Sequence, residues 1–295
     1  MRQRKNYGAC AALVVLLGLA ARCSAATSDP LLVGNDLDIL QRTDTLLKAS
    51  GRVSLSDMFA PYAATTIIEV GRVLREFHRP AEAKQILALA LRRPIADYEL
   101  AEANYQLALA CEVLREGPEV VRLYGEILRG CPDYDRAVEV ACRLAELQLS
   151  VTLPGCRRDP EKARAILEWA VSRFPNRQDR TLGCHNLLAQ ACWERGDWRA
   201  AQREFLIVYE TDVSSLQLPH AFIPDGSTPA ALKLESLRKN WSEFRPRLVP
   251  LIVNTCVLPK PSDSEAALND LMQRYPGSEL AAKAKEKLDQ LQKRR

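Results

Sequence analysis

Cys184, His185 and Cys192 form the one local cluster of metal-ligand types in this 295-residue chain. A zinc site would need such thiolates and imidazoles to converge tetrahedrally. Neighbouring helical residues point about 100° apart, so Cys184 and His185 do not easily share one ion. Packing roles fit these residues better than coordination. The other histidines, His78 and His220, sit in no H-E-x-x-H and beside no nucleophile motif. No C-x-x-C occurs, and no phosphate loop of the G-x-x-x-x-G-K-S/T or G-x-G-x-x-G kind. The expectation is a protein with no catalytic residues, no metal and no cofactor. An enzyme with an unrecognised site is the third reading.

The elements behind these residues carry more information than any single motif. Small and apolar residues recur at intervals of roughly forty. Residues 101–132 place Leu107-Ala108, Cys111, Val120, Tyr124, Ile127 and Pro132 in order. Residues 182–213 place Leu188-Ala189, Cys192, Gly196-Asp197-Trp198, Ala201, Phe205 and Val208 at matching positions. Ala and Leu are abundant and Val/Ile runs are few, which favours helix over strand. Units of this kind bury their apolar faces only against neighbours. The fold class expected is all-α, an α-solenoid of antiparallel helix pairs with an irregular insertion and a C-terminal capping helix. Cys111 and Cys192 fall at equivalent positions and read as small buried hydrophobes.

The first 26 residues read as a signal peptide. Arg2, Arg4 and Lys5 precede an apolar run over 9–21, followed by Ser24-Ala25-Ala26 as a small-residue cleavage site. Cleavage near Ala26 would export the chain. Retention as an anchor, or lipidation at Cys23 after Ala20-Ala21-Arg22, would instead bring it to a membrane. The formal net charge of +4 belongs to this leader. Its four basic residues have no acidic counterpart, and the remaining chain has 37 of each sign. Nucleic-acid binding therefore has no electrostatic support. Seven cysteines follow the leader, an odd number that leaves at least one outside any intramolecular pairing.

Residues 27–61 read as a linker with one helix over 36–48. Helix pairs follow over 62–213, at 64–92, 98–132, 134–175 and 179–210, with a longer loop at 151–156 inside the third. Residues 214–261 read as an irregular insertion, with a helix over 229–244. The apolar stretch 247–257 is interrupted by Pro250, and helix packing suits it better than strand. Residues 262–295 form a closing helix pair, its last helix apolar on one side and lysine-rich on the other.

These residues resemble the tetratricopeptide repeat, a 34-residue helix-turn-helix unit. Leu188-Ala189, Gly196, Trp198, Ala201 and Phe205 match it best. Leu107-Ala108, Tyr124 and Pro132 match in the second pair, where Val120 replaces a small residue. Unit starts here lie further apart than the family period. The resemblance implies that the first helices line a groove for a protein or peptide partner. Carried over, that groove comprises Ile68, Arg72 and Arg75, then Tyr105, Leu109 and Glu112, then Asn186, Gln190 and Trp193, with Tyr105 and Trp193 as aromatic anchors. The family's Lys and Asn clamp for a peptide carboxylate is not reproduced. The stretch from Tyr275-Pro276-Gly277 to Ala284 is similar to repeat edges of bacterial periplasmic proteins, among them outer-membrane assembly lipoproteins and the Tol-Pal coordinator. The resemblance thus implies an exported, periplasmic or cell-envelope scaffold, and as the alternative a structural component of an envelope assembly.

Overall fold

The structure is a computed structural model that describes residues 29–49, 54–175, 178–211 and 230–293. The leader read over 1–26, with Cys23, lies outside the described residues, as does the first part of the insertion. Among the described residues there is no strand. After a short 3-10 turn at Pro30–Leu32 come α1 (Asp36–Ala49), α2 (Leu55–Phe59), α3 (Ala64–Glu76), α4 (Pro80–Ala90), α5 (Asp97–Val113), α6 (Gly117–Gly130) and α7 (Ala137–Ser150). Then follow α8 (Pro160–Arg173), α9 (Gln178–Glu194), α10 (Trp198–Glu210), α11 (Ala230–Thr255), α12 (Pro261–Arg274) and α13 (Glu279–Lys293). No described helix is long and apolar enough to cross a membrane.

Consecutive helices pack as pairs: α3 with α4, α5 with α6, α7 with α8, α9 with α10, and α12 with α13. Three of the four central pairs share one internal register. Gly71 and Ala83, Ala108 and Val120, and Ala189 and Ala201 are each twelve positions apart and all buried. They let the two helices of a pair approach closely. A Cβ on Gly71 would sit 2.4 Å from Leu87 Cγ. Proline at the first turn of α4, α6, α8 and α12 starts a helix where its missing N–H costs nothing. Asp159 and Asp197 cap α8 and α10, accepting from the backbone N–H of Lys162 and Ala200.

The turns of the pairs are closed by one recurring backbone bond. Arg79 N–H donates to Leu74 C=O at 2.9 Å, Glu116 to Cys111 at 2.9 Å, and Asp197 to Cys192 at 3.0 Å. Each spans five residues and follows a left-handed residue: His78 and Arg115 at φ 61°, and Gly196 at φ 78°. In the third pair, Asp159 N–H donates to Gln148 C=O at 2.8 Å, across eleven residues. Six additional residues are thus looped out while the closing bond is kept. Because Arg115 is exposed and strained without glycine's freedom, Arg115→Gly should stabilise the chain by about 0.5–1 kcal/mol. Denaturant titration checks this, and an unchanged or lower midpoint counts against strain at that turn.

The chain forms two compact units. The first comprises residues up to Tyr134 together with Leu153–Cys156. In it α1 lies against α3, with Arg72 paired to Asp36 and Arg79 to Asp44. Thr66 donates to Asp29 at 2.6 Å. The looped-out segment lies over the start of α6. A Cβ on Gly117 would meet Pro154 O at 2.4 Å and Cys156 Sγ at 2.7 Å, so only glycine leaves room for the loop.

The second unit holds Asp135–Thr152 and the chain from Arg157 onward. Phe205, Leu248, Ile252, Leu268, Leu271 and Leu280 form the centre of its core. The apolar stretch around Pro250 is not a break: α11 runs through both Pro246 and Pro250. Each proline removes one intrahelical bond at a cost of about 3 kcal/mol. Leu248, Val249, Ile252, Val253 and Cys256 lie on one side and are buried. Their burial, at about 1.5–3 kcal/mol for a large aliphatic side chain, outweighs that cost. In α13, Leu280 and Ala284 are buried while Lys283 and Lys285 are exposed, as suits a helix that ends a stack.

Candidate functional site

The first-helix face of the first unit is a polar relay. Arg72 donates to Glu69 at 2.9 and 2.6 Å, to Asp36 at 2.7 Å and to Glu76 at 2.5 Å. Its guanidinium is held well above its ordinary pKa, chiefly by the hydrogen bond to Glu69 and against the cost of burial. Arg75 donates to Gln106 at 3.1 Å, and Gln106 to Glu102 at 2.7 Å. Tyr134 also donates to Glu102, so one chain of bonds joins α3 to α5. Four carboxylates, from Asp36, Glu69, Glu76 and Glu102, surround two guanidinium groups. The arginines are engaged by the protein's own acids, and the cluster carries excess negative charge.

That arrangement corrects the expected groove at several positions. Tyr105 is 3% exposed, 6.2 Å from the Tyr134 ring, and is no anchor for a partner. Ile68 is also buried. Leu109 is half-buried, and Glu112 accepts from the Tyr124 hydroxyl at 2.6 Å. The cause is that α5 touches α3, α4 and α6. A helix held by three neighbours keeps a narrow solvent stripe, whereas the sequence pattern implies a wide one.

The remaining groove residues lie on α9, in the second unit. Gln190 is exposed, and Asn186 and Trp193 are half-buried. The Trp193 ring meets Trp198 edge-on, with centroids 5.2 Å apart, and packs on the apolar core. Trp193 thus staples the α9–α10 turn and exposes only part of its ring. His185 Nδ1 lies 2.7 Å from Glu204 Oε2. Cys192 is buried, and burial raises its pKa. Among the described residues no group of three or more His, Cys, Asp or Glu side chains is placed to hold a metal ion.

A concavity that sequence reasoning misses lies in the first unit, where the end of α4 meets the start of α5 and the end of α6. It encloses about 530 Å³. Leu91, Leu100, Ala101 and Ile127 supply an apolar floor, and Asp97, Arg122, Glu126 and Arg129 a charged rim. Arg122 pairs with Glu119 and Glu126, each at 2.6 Å, and holds the Glu119 carboxyl below its ordinary pKa. The signal available in the sequence is Leu100, an apolar residue off the buried stripe of α5 and 37% exposed. A mixed rim over an apolar floor suits a side chain of a peptide or protein better than a small anion.

This geometry defines an all-α protein of antiparallel helix pairs, stacked within each unit. No family model matches the sequence, and no curated protein matches it. Among solved structures, a crystal structure of the P58(IPK) TPR domain is similar, at 15% identity and a TM-score of 0.28. The match covers 95% of this chain and 73% of that one. The helix-pair class stands on this chain's own packing.

Proposed function

We propose that this chain is a non-catalytic helix-pair repeat protein that binds a protein or peptide partner in a bacterial cell envelope. The observation that supports it is the contrast between interior and surface. Gly71, Ala83, Ala108, Val120, Ala189 and Ala201 repeat one buried register, while the surfaces of the pairs differ from one another. Repeat architecture of this kind presents surface area rather than a reaction centre. The α4–α5–α6 concavity is the docking site in the first unit, with exposed Gln190 and half-buried Asn186 on the polar face of α9. An apolar side chain fills the floor, and charges of either sign meet the rim. Export rests on the basic, apolar and small-residue order of residues 1–26.

Affinity capture from envelope extracts tests this. Leu100→Asp places a charge in the apolar floor and should reduce recovery of a directly bound partner by about tenfold or more, with helicity unchanged. Arg72→Gln is not a binding probe, because Arg72 holds α1 to α3 through Asp36. If Leu100→Asp and Gln190→Lys both leave every partner bound, neither surface is the docking site. Mass analysis of the mature N-terminus separates cleavage after Ala26 from lipidation at Cys23.

A further inference from the structure

We propose that Cys142 and Cys184 are a disulfide pair that links α7 to α9 within the second unit. The two sulfurs lie 3.1 Å apart as thiols, on helices that pack directly against each other. A disulfide bond is about 2.05 Å long, so closure requires an approach of roughly 1 Å. Side-chain torsion at two half-buried or buried positions supplies that without moving a helix. Gly183 flanks the pair, and a Cβ there would make only an ordinary contact with Cys142 Sγ, at 3.6 Å.

The surroundings favour this pair over the other cysteines. Cys256 sits in the core, where Gln202 donates to its sulfur at 2.9 Å. Cys111 and Cys192 occupy equivalent turn-closing positions in different pairs, and both are buried. Cys142 is half-buried and Cys184 fully buried, which assigns them different roles in bond formation. Cys142 is the accessible thiol and Cys184 the resolving one. The hydrogen bond to Cys184, reinforced by burial, raises the Cys142 pKa far above that of a free thiol. Little thiolate is present at neutral pH, so the pair reacts slowly without a good oxidant.

The oxidant is a disulfide, either oxidised glutathione or a protein disulfide donor. Cys142 Sγ gives up its proton, attacks one sulfur of that disulfide and expels the first thiolate. Cys184 Sγ then gives up its proton, attacks Cys142 Sγ and expels the second. Two thiols of this chain lose two electrons, the donor disulfide becomes two thiols, and the two protons go to the leaving sulfurs. The product ring encloses α8, fixing the spacing between the first helices of two successive pairs. The bond persists in the oxidising compartment that export supplies. Its formation on purified protein depends on neither export nor a partner, so it stands or fails separately from the proposed function.

The full chain is purified reduced, oxidised with oxidised glutathione under native conditions, alkylated and mapped by mass spectrometry. The expected product is a linked peptide joining Cys142 to Cys184. Reduction should then lower the melting temperature of the oxidised protein by roughly 5–10 °C. In Cys142→Ala and Cys184→Ala the same reduction should leave the melting temperature unchanged. Recovery of both cysteines as free thiols after oxidation overturns the proposal, as does pairing of either with a third cysteine. The mapping decides the matter on the unmodified chain even if a variant does not fold.

Discussion

Phe205→Ala is expected to destabilise the chain by about 3–5 kcal/mol, the usual cost of deleting a buried aromatic ring. Phe205 is 1% exposed at the centre of the second unit's core. Its helix, α10, packs on α9 on one side and α11 on the other. Truncation therefore opens a cavity that two neighbouring helices would have to close. Denaturant titration measures the loss. Hydrogen exchange should localise it to α9, α10 and α11, because stability in a stacked array is carried by nearest neighbours. A loss below about 1 kcal/mol would mean that the ring fills no shared core.

Gly71→Val ranks second, at about 1–3 kcal/mol or somewhat more. The first added carbon would sit 2.4 Å from Leu87 Cγ and 2.5 Å from its Cδ2. Leu87 is fully buried, so its side chain cannot swing out into solvent to make room. Valine's better helix propensity returns only a few tenths of a kcal/mol, so the clash decides the sign. Gly125→Ala is the control. Its Cβ meets only the guanidinium end of Arg129, at 3.1 Å, and that side chain can swing into solvent. The control should gain up to about 1 kcal/mol from helix propensity. If both substitutions stabilise, α3 and α4 do not approach closely at Gly71.

The all-α helix-pair class was legible in the sequence because its determinants are local. Small residues at a fixed offset, proline at first turns and an apolar stripe all read along one segment. What escaped depends on more than two elements. The burial of Tyr105 follows from the three helices around α5, whose contacts no single-helix periodicity encodes. The concavity floored by Leu91, Leu100 and Ile127 draws on three helices at once. The long-range partners of Arg72 and Arg75, Asp36 and Gln106, lie 36 and 31 residues away on different helices. At Pro250 the local rule for ending a helix was overridden by burial of Leu248, Ile252 and Cys256 across α11. The contact between Cys142 and Cys184 joins the first helices of neighbouring pairs, across a loop, a whole helix and a second turn.

The bond from Asp159 to Gln148 separates the path of the chain from the geometry of the pair. A turn pinched at its base no longer transmits its own length to the helices it joins. Each doubling of such a loop costs only about 0.6 kcal/mol in closure entropy. The third pair is thus a port, a place where sequence can be added without re-registering the helices on either side. The same pinch exists at Arg79, at Glu116 and at Asp197 without the extra residues. Those three turns are where this scaffold is built to accept a new surface loop, whether by divergence or by design.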